Sequence, residues 1–179
     1  MEVEAEFTDK GLKVFDEEKA EEIHSEKYYG KILEDGTLQL SPCEALHLMD
    51  REIEFTVGEK KLDRKDAYEK FVDIDEEFPQ KYPAYSNLRE RGYIVKSGFK
   101  FGAHFRVYPR GVNPYKDGDK REREHTKYVV HAVPENHTLS FQDMSRAVRL
   151  ANNIRADMLW AVVDTENQVT YYQVNHKKL

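Results

Sequence analysis

Between Tyr93 and Arg110 the chain reads Tyr-Ile-Val-Lys-Ser-Gly-Phe-Lys-Phe-Gly-Ala-His-Phe-Arg-Val-Tyr-Pro-Arg. Gly98 and Gly102 space the aromatics Phe99, Phe101 and Phe105, and a period of two puts Phe105 and Val107 on one face. A further β-type run, His125 to Val133, follows only after a polar, charged, glycine-containing stretch from Pro109 to Arg123. The two runs belong to a compact β core, and the stretch between them reads as a long loop. Such loops are uncommon inside a compact domain unless they are functional or disordered, so this one is the first place to look for chemistry.

The flanking sequence supplies the rest of a sheet. Ser140, with Asp143 three residues on, predicts a helix to about Asp157 that turns Met144, Ala147, Val148, Ala151 and Ile154 toward the sheet. Leu159 to Val163 reads as an apolar inner strand, and Val169 to Val174 returns after a turn at Asp164 to Gln168. On the helix, Arg149, Asn152, Asn153 and Ala156 fall on one outward stripe at 3.6 residues per turn. Arg149 there is suited to phosphate or to stacking on a base.

The N-terminal half has a different grammar. Met1 to Phe7 alternates as an edge strand, and Leu12 to Phe15 can pair with it. Glu17 to Tyr29 predicts a helix stopped at Gly30, and Lys31 to Leu40 a hairpin around Asp35-Gly36. Ser41-Pro42-Cys43-Glu44 is a capping box with proline at the first helical position. After a strand from Ile53 to Val57, Asp63 caps a third helix to Ile74. Phe78-Pro79 to Tyr82-Pro83 reads as a break, with Pro83 opening the next helix. The expectation is an α/β (α+β) protein of two small domains: residues 1–84 mixed β and helical, residues 85–179 a mixed sheet flanked by helices.

Charge separates the same halves. The 179 residues carry a net charge of -6. Residues 85–179 hold sixteen basic against ten acidic side chains, a net of +6, and residues 1–84 hold twelve against twenty-four, a net of -12. This asymmetry suits an anionic partner for the basic half, and equally suits mutual attraction of the two halves. The single cysteine, Cys43, excludes an intrachain disulfide and any multi-cysteine metal site. No apolar run approaches bilayer length and the start is no signal peptide, so a cytoplasmic protein without a membrane partner is expected.

Of seven histidines, none pairs at metal-ligand spacing, and neither metal nor cofactor is expected. His125 stands where the loop re-enters the sheet, and Tyr115 lies inside the loop among Lys116, Lys120, Arg121 and Arg123. Histidine transfers protons near neutrality, whereas tyrosine needs cationic neighbours to act as a base. A solvated tyrosine and a strand-end histidine fit the spacing too.

The block from Tyr93 to Tyr108, the loop tyrosine, His125 with Tyr128-Val-Val-His131, Ser145-Arg-Ala-Val-Arg149, and Ala161-Val-Val-Asp164 before Tyr171-Tyr172 together resemble the archaeal tRNA-splicing endonucleases, or tRNA-intron lyases. The resemblance implies a nuclease-like catalytic domain at residues 85–179 and a homotetramer that recognises the bulge-helix-bulge of precursor tRNA. It implies metal-independent transesterification leaving 2′,3′-cyclic phosphate and 5′-hydroxyl ends. Tyr115 then corresponds to the general base and His125 to the general acid. Arg149, Lys116 and Lys127 are expected to contact RNA. Asp164 and Glu166 in the acidic turn, with Val169 and Tyr171 on the last strand, are expected at subunit interfaces.

One position departs from the pattern. The family's lysine should follow Arg155, and this chain has Ala156. Loss of one donor to a developing oxyanion costs on the order of 100 to 1,000-fold in rate, so slow cleavage is expected. An engineered substitution is the preferred explanation, ahead of a silent subunit in a hetero-oligomer and of Lys127 reaching in from the next strand.

Overall fold

The computed structural model describes residues 1–98, 102–116 and 124–179. It separates into two compact units, Met1–Pro79 and Gln80–Leu179. Both are mixed α/β, and each is built on its own sheet.

In the first unit β1 (Glu2–Thr8), β2 (Gly11–Val14), β3 (Lys31–Ile32), β4 (Leu38–Leu40), β5 (Glu54–Val57) and β6 (Lys60–Lys61) are ordered β3-β4-β2-β1-β5-β6. The alternation in β1 buries Val3 and Ala5, but the strand is interior and not an edge. It pairs antiparallel with β2 and parallel with β5, a partner that returns only after a helical connection. The first helix is shorter than its composition suggests: α1 (Glu17–Glu21) passes into a π turn, Glu22–Glu26, and Tyr28 takes a left-handed φ of 61° before Gly30 is reached.

α2 (Pro42–Met49) opens with the expected capping box. Glu44 serves two amides, accepting from Ser41 N–H at 2.9 Å and, with its other oxygen, from Gly30 N–H at 2.8 Å. α3 (Arg64–Ile74) is capped by Asp63 and buries Ala67 and Phe71. Phe71 meets Phe7 at 5.9 Å and Phe78 at 5.6 Å between ring centroids.

The proline-rich stretch is helix and not a break: α4 runs Phe78–Glu90 with Pro83 inside it. Pro79 sits in the first turn, where its missing N–H has no partner to lose, so Pro83 sacrifices a single backbone bond. Buried Tyr82, Ala84, Tyr85 and Leu88 outweigh that loss.

In the second unit β7 (Ile94–Ser97), β8 (Phe105–Tyr108), β9 (Tyr128–Pro134), β10 (Asp157–Val163) and β11 (Val169–Val174) lie in the order β11-β10-β9-β8-β7. β9 and β10 are parallel, joined over α5 (Phe141–Asn153), and the other pairs are antiparallel. One face carries Val129 and Met158 against Ala147, Val148 and Ala151 of α5. The opposite face carries Phe105 against Tyr85 of α4 at 5.7 Å. β9 begins at Tyr128, so His125 precedes the strand instead of opening it. Phe99 and Phe101 lie outside the described residues.

Candidate active site

The geometry starts at the turn between β7 and β8. A Cβ on Gly98 would stand 2.7 Å from the Ala103 carbonyl oxygen and 2.9 Å from the Phe105 nitrogen, so no larger residue fits without moving backbone. Gly98 N–H donates to the His104 carbonyl at 3.0 Å. His104 is then spent on structure, since its Nδ1 accepts the Ala132 N–H at 2.9 Å.

After β8 the loop is anchored before it leaves the described residues. Val112 and Pro114 are buried, and Val112 N–H donates to the Pro109 carbonyl at 3.3 Å. The Asn113 side chain accepts the Tyr115 N–H at 2.8 Å, a local turn that fixes the direction of Tyr115. The half-buried Tyr115 phenol receives a hydrogen bond from the Lys96 ammonium, which also lies 4.7 Å from the centre of its ring. Lys96 is only 9% exposed. A cation thus reaches the Tyr115 hydroxyl from β7, nineteen positions back in the chain.

The loop's own cations are placed differently. Lys116 bonds both carboxylate oxygens of Glu124, at 2.9 and 3.0 Å, and Lys120, Arg121 and Arg123 lie outside the described residues. This ion pair clasps the loop stem, with Tyr115 immediately before it and the exposed His125 immediately after.

Lys127 lies against two aromatic rings. Its N–H donates to the Val107 carbonyl at 2.8 Å, and its ammonium lies 5.1 Å from the Tyr128 ring and 5.8 Å from the Tyr93 ring. The Tyr128 hydroxyl makes the Lys127 ammonium hold its proton more tightly than usual, with smaller help from Tyr93 and Asp157 against the cost of burial.

The outward stripe on α5 is real for Arg149, Asn152 and Asn153, all exposed, and ends there. Ala156 is 5% exposed and packs with Ala103, Val129, Ala147, Val148, Ala151 and Met158. The expected register fails because the helix stops at Asn153. Arg155 turns left-handed at φ 58°, its N–H donates to Asn152, and Ala156 N–H donates to the Ala151 carbonyl. These paired bonds form a helix-ending motif that directs the residue after the left-handed one back onto the helix's apolar side.

At the far end of the sheet, Asp164 organises its own turn, its Oδ1 accepting from Glu166 N–H at 2.9 Å and Gln168 N–H at 2.8 Å, whereas Glu166 is exposed. Val169 is half-buried at the start of the edge strand β11. Tyr171 points onto α4, where its hydroxyl donates to Asn87 Oδ1 at 3.0 Å. Burial pushes this phenol up to about 12, with Arg91 acting weakly the other way. The exposed aromatic of the strand is Tyr172, at 56%, across from Trp160, which stacks on His131 at 4.8 Å.

Among the described residues no three His, Cys, Asp or Glu side chains gather as a metal site, and no helix is long and apolar enough to cross a membrane. The residue that sequence reasoning passed over is Lys96. Its signal was present: a cation in the otherwise apolar run Ile94-Val95-Lys96, where the strand interior leaves an unpartnered charge no inexpensive place.

Comparison with known proteins places these features in context. Residues 3–68 match the family model described as tRNA intron endonuclease, N-terminal domain, and residues 78–171 that of tRNA intron endonuclease, catalytic C-terminal domain. The chain is 42% identical over 157 residues to the tRNA-splicing endonuclease of Thermococcus kodakarensis, covering 87% of each. It is 40% identical over 176 residues to that of Thermococcus onnurineus, covering 97% of this chain and 96% of the relative. For the protein of the same name from Methanothermobacter thermautotrophicus the identity is 38% over 180 residues, covering 98% of both.

Proposed function

Since the chain belongs to the tRNA intron endonuclease family, carrying both of its domains in order, we propose that it cleaves precursor tRNA at bulge-helix-bulge junctions by metal-independent transesterification. Residues 85–179 act as the catalytic domain and residues 1–84 as its acidic companion. The observation that carries the reading is the clasped loop stem, in which the Lys116–Glu124 pair has Tyr115 on one side and His125 on the other. Two proton-transfer groups held at the two ends of one loop are what a concerted displacement at phosphorus needs.

In this mechanism Tyr115 takes the proton of the ribose 2′-hydroxyl as that oxygen bonds to phosphorus. The bond from phosphorus to the 5′-oxygen breaks, and His125 protonates the leaving oxygen. The products are a 2′,3′-cyclic phosphate and a 5′-hydroxyl. Arg149, exposed on α5, and Lys116 lie on surfaces suited to the RNA backbone. Charge on the phosphorane is left without the family's lysine, because position 156 is alanine, and cleavage by this chain is correspondingly slow.

A second reading has its own observation. Ala156 is packed into the core of its unit, which suits a non-catalytic subunit of the same assembly that binds RNA and contributes interface. For the catalytic reading the assembly is a homo-oligomer, a tetramer, joined through β11 and the acidic turn; the second reading requires catalytic subunits of another kind. The exposed edge of β11 is a strand that needs covering.

Cleavage of a bulge-helix-bulge RNA in EDTA by the chain carrying Ala156 and by Ala156→Lys, Tyr115→Phe and His125→Ala separates these readings. The catalytic one requires Ala156→Lys to cleave about 100 to 1,000-fold faster than the chain carrying Ala156. It also requires cyclic-phosphate ends and loss of activity when Tyr115→Phe or His125→Ala is added. Dependence on a divalent ion, or 3′-hydroxyl ends, overturns the mechanism. RNA binding with no cleavage by any variant leaves the non-catalytic subunit.

A further inference from the structure

We infer that Lys96 is a positioning residue that holds Tyr115 in its proton-accepting form, an assignment that rests on the reading of Tyr115 as the base. Lys96 lies in β7 opposite Arg106 of β8 and is 9% exposed, and its ammonium donates to the Tyr115 oxygen. Withdrawing an ammonium this far from water is costly unless negative charge or strong acceptors replace the lost hydration. A phenolate adds to that compensation more than a phenol does. The fold therefore couples the burial of Lys96 to the ionisation of Tyr115, because a cation in contact with an acid favours the acid's charged form.

Neighbouring charges leave this assignment with Lys96. Arg106 donates its Nε–H to the Ser97 carbonyl at 3.0 Å and lays its guanidinium 6.0 Å from the Tyr108 ring. Lys116, next to Tyr115 in sequence, is matched by the Glu124 carboxylate. The ammonium of Lys127 lies over Tyr128 and Tyr93. His125 is exposed on the far side of the Lys116–Glu124 clasp in sequence. Lys96 donates to the hydroxyl to be ionised.

For catalysis the consequence is a base available near neutral pH. The phenolate of Tyr115 accepts the 2′-hydroxyl proton and becomes the phenol, and the electron pair left on the 2′-oxygen forms the bond to phosphorus. As the 5′-oxygen departs with its bonding pair, His125 supplies the proton it needs. Regeneration returns the Tyr115 proton to solvent, and Lys96 keeps its own charge throughout.

The test needs no RNA. With 13Cζ-tyrosine incorporated, the Tyr115 resonance is identified by its loss in Tyr115→Phe and followed through a pH titration. In the unsubstituted chain it should ionise at a pH about 1 to 3 below ordinary tyrosine, a gain in acidity of roughly 10 to 1,000-fold. Lys96→Met should return it to the ordinary range or above, and Lys96→Arg should keep most of the effect. If Lys96→Met does not fold, Lys96→Gln takes its place. In the Ala156→Lys background, the rising limb of the pH–rate profile should move to higher pH in Lys96→Met with KM unchanged. A Tyr115 resonance that titrates alike in the unsubstituted chain and in Lys96→Met or Lys96→Gln overturns the inference. Failure of the cleavage reading leaves this titration intact, so the two can fail separately.

Discussion

The amide of Ala156 donates to the carbonyl of Ala151 at 2.9 Å, and both methyl groups lie in one apolar cluster. This six-residue closure places the side chain of position 156 against the core, at the position where the proposed mechanism would use a lysine. Ala156→Lys must thread a long cation out past Ala103 and Met158. It is expected to destabilise the chain by about 1 to 3 kcal/mol while raising cleavage. Urea unfolding of the two proteins checks this, and an unchanged midpoint would mean that residue 156 is not committed to the core.

The Lys116–Glu124 clasp neutralises a cation that the proposed RNA contact would use. The side chains are 44% and 18% exposed, so the pair itself adds only about 0 to 1 kcal/mol to stability. Glu124→Gln should leave unfolding nearly unchanged, tighten binding of a bulged RNA, and steepen the logarithmic salt dependence by about one. A salt series of binding isotherms decides it. Equal slopes would show that Lys116 makes no phosphate contact.

Tyr171 gives the second unit a titration at alkaline pH. The phenol, pushed up to about 12 chiefly by burial, keeps its proton over a range in which the unfolded chain, at 10.0, gives it up. Its contribution to stability is therefore complete below pH 10 and is lost as pH rises toward about 12. Tyr171→Phe cannot ionise and should lack this component, although it forfeits the bond to Asn87 at every pH. Urea midpoints of both proteins from pH 9 to 12, the window set by ~10 for free tyrosine, should converge as pH rises. Parallel curves would contradict the assignment.

In the acidic turn the two carboxylates are not equivalent. Asp164 accepts two backbone N–H groups of its own turn, so replacing it disrupts the loop, whereas exposed Glu166 is available to a neighbour. If the turn joins dimers into a tetramer, Glu166→Lys should yield dimers in sedimentation velocity without loss of thermal stability. A tetramer that survives this charge reversal would exclude Glu166 from the contact.

Much of the fold was written in local sequence. The capping box at Ser41, the cap at Asp63, the hairpin at Asp35-Gly36 and the apolar stripe of α5 depend on contacts within a few residues, and all appear where the pattern predicts. Family membership was legible for a similar reason, since the block from Tyr93 to Tyr108 and the strand at Tyr128 keep their spacing. What local pattern missed was set by partners distant in the chain. β1 became an inner strand because β5 pairs with it across about fifty intervening positions. Pro83 stayed helical because the buried aromatics of α4 outweigh one absent hydrogen bond. Helical periodicity carried Ala156 to the surface, but a single left-handed residue, Arg155, ended the register and turned it inward. The site followed the same division: the sequence by itself determined that a tyrosine and a histidine bracket a charged loop, and only the tertiary structure brought a cation from β7 to that tyrosine, because strand pairing and burial, not nearness along the chain, placed Lys96 against Tyr115.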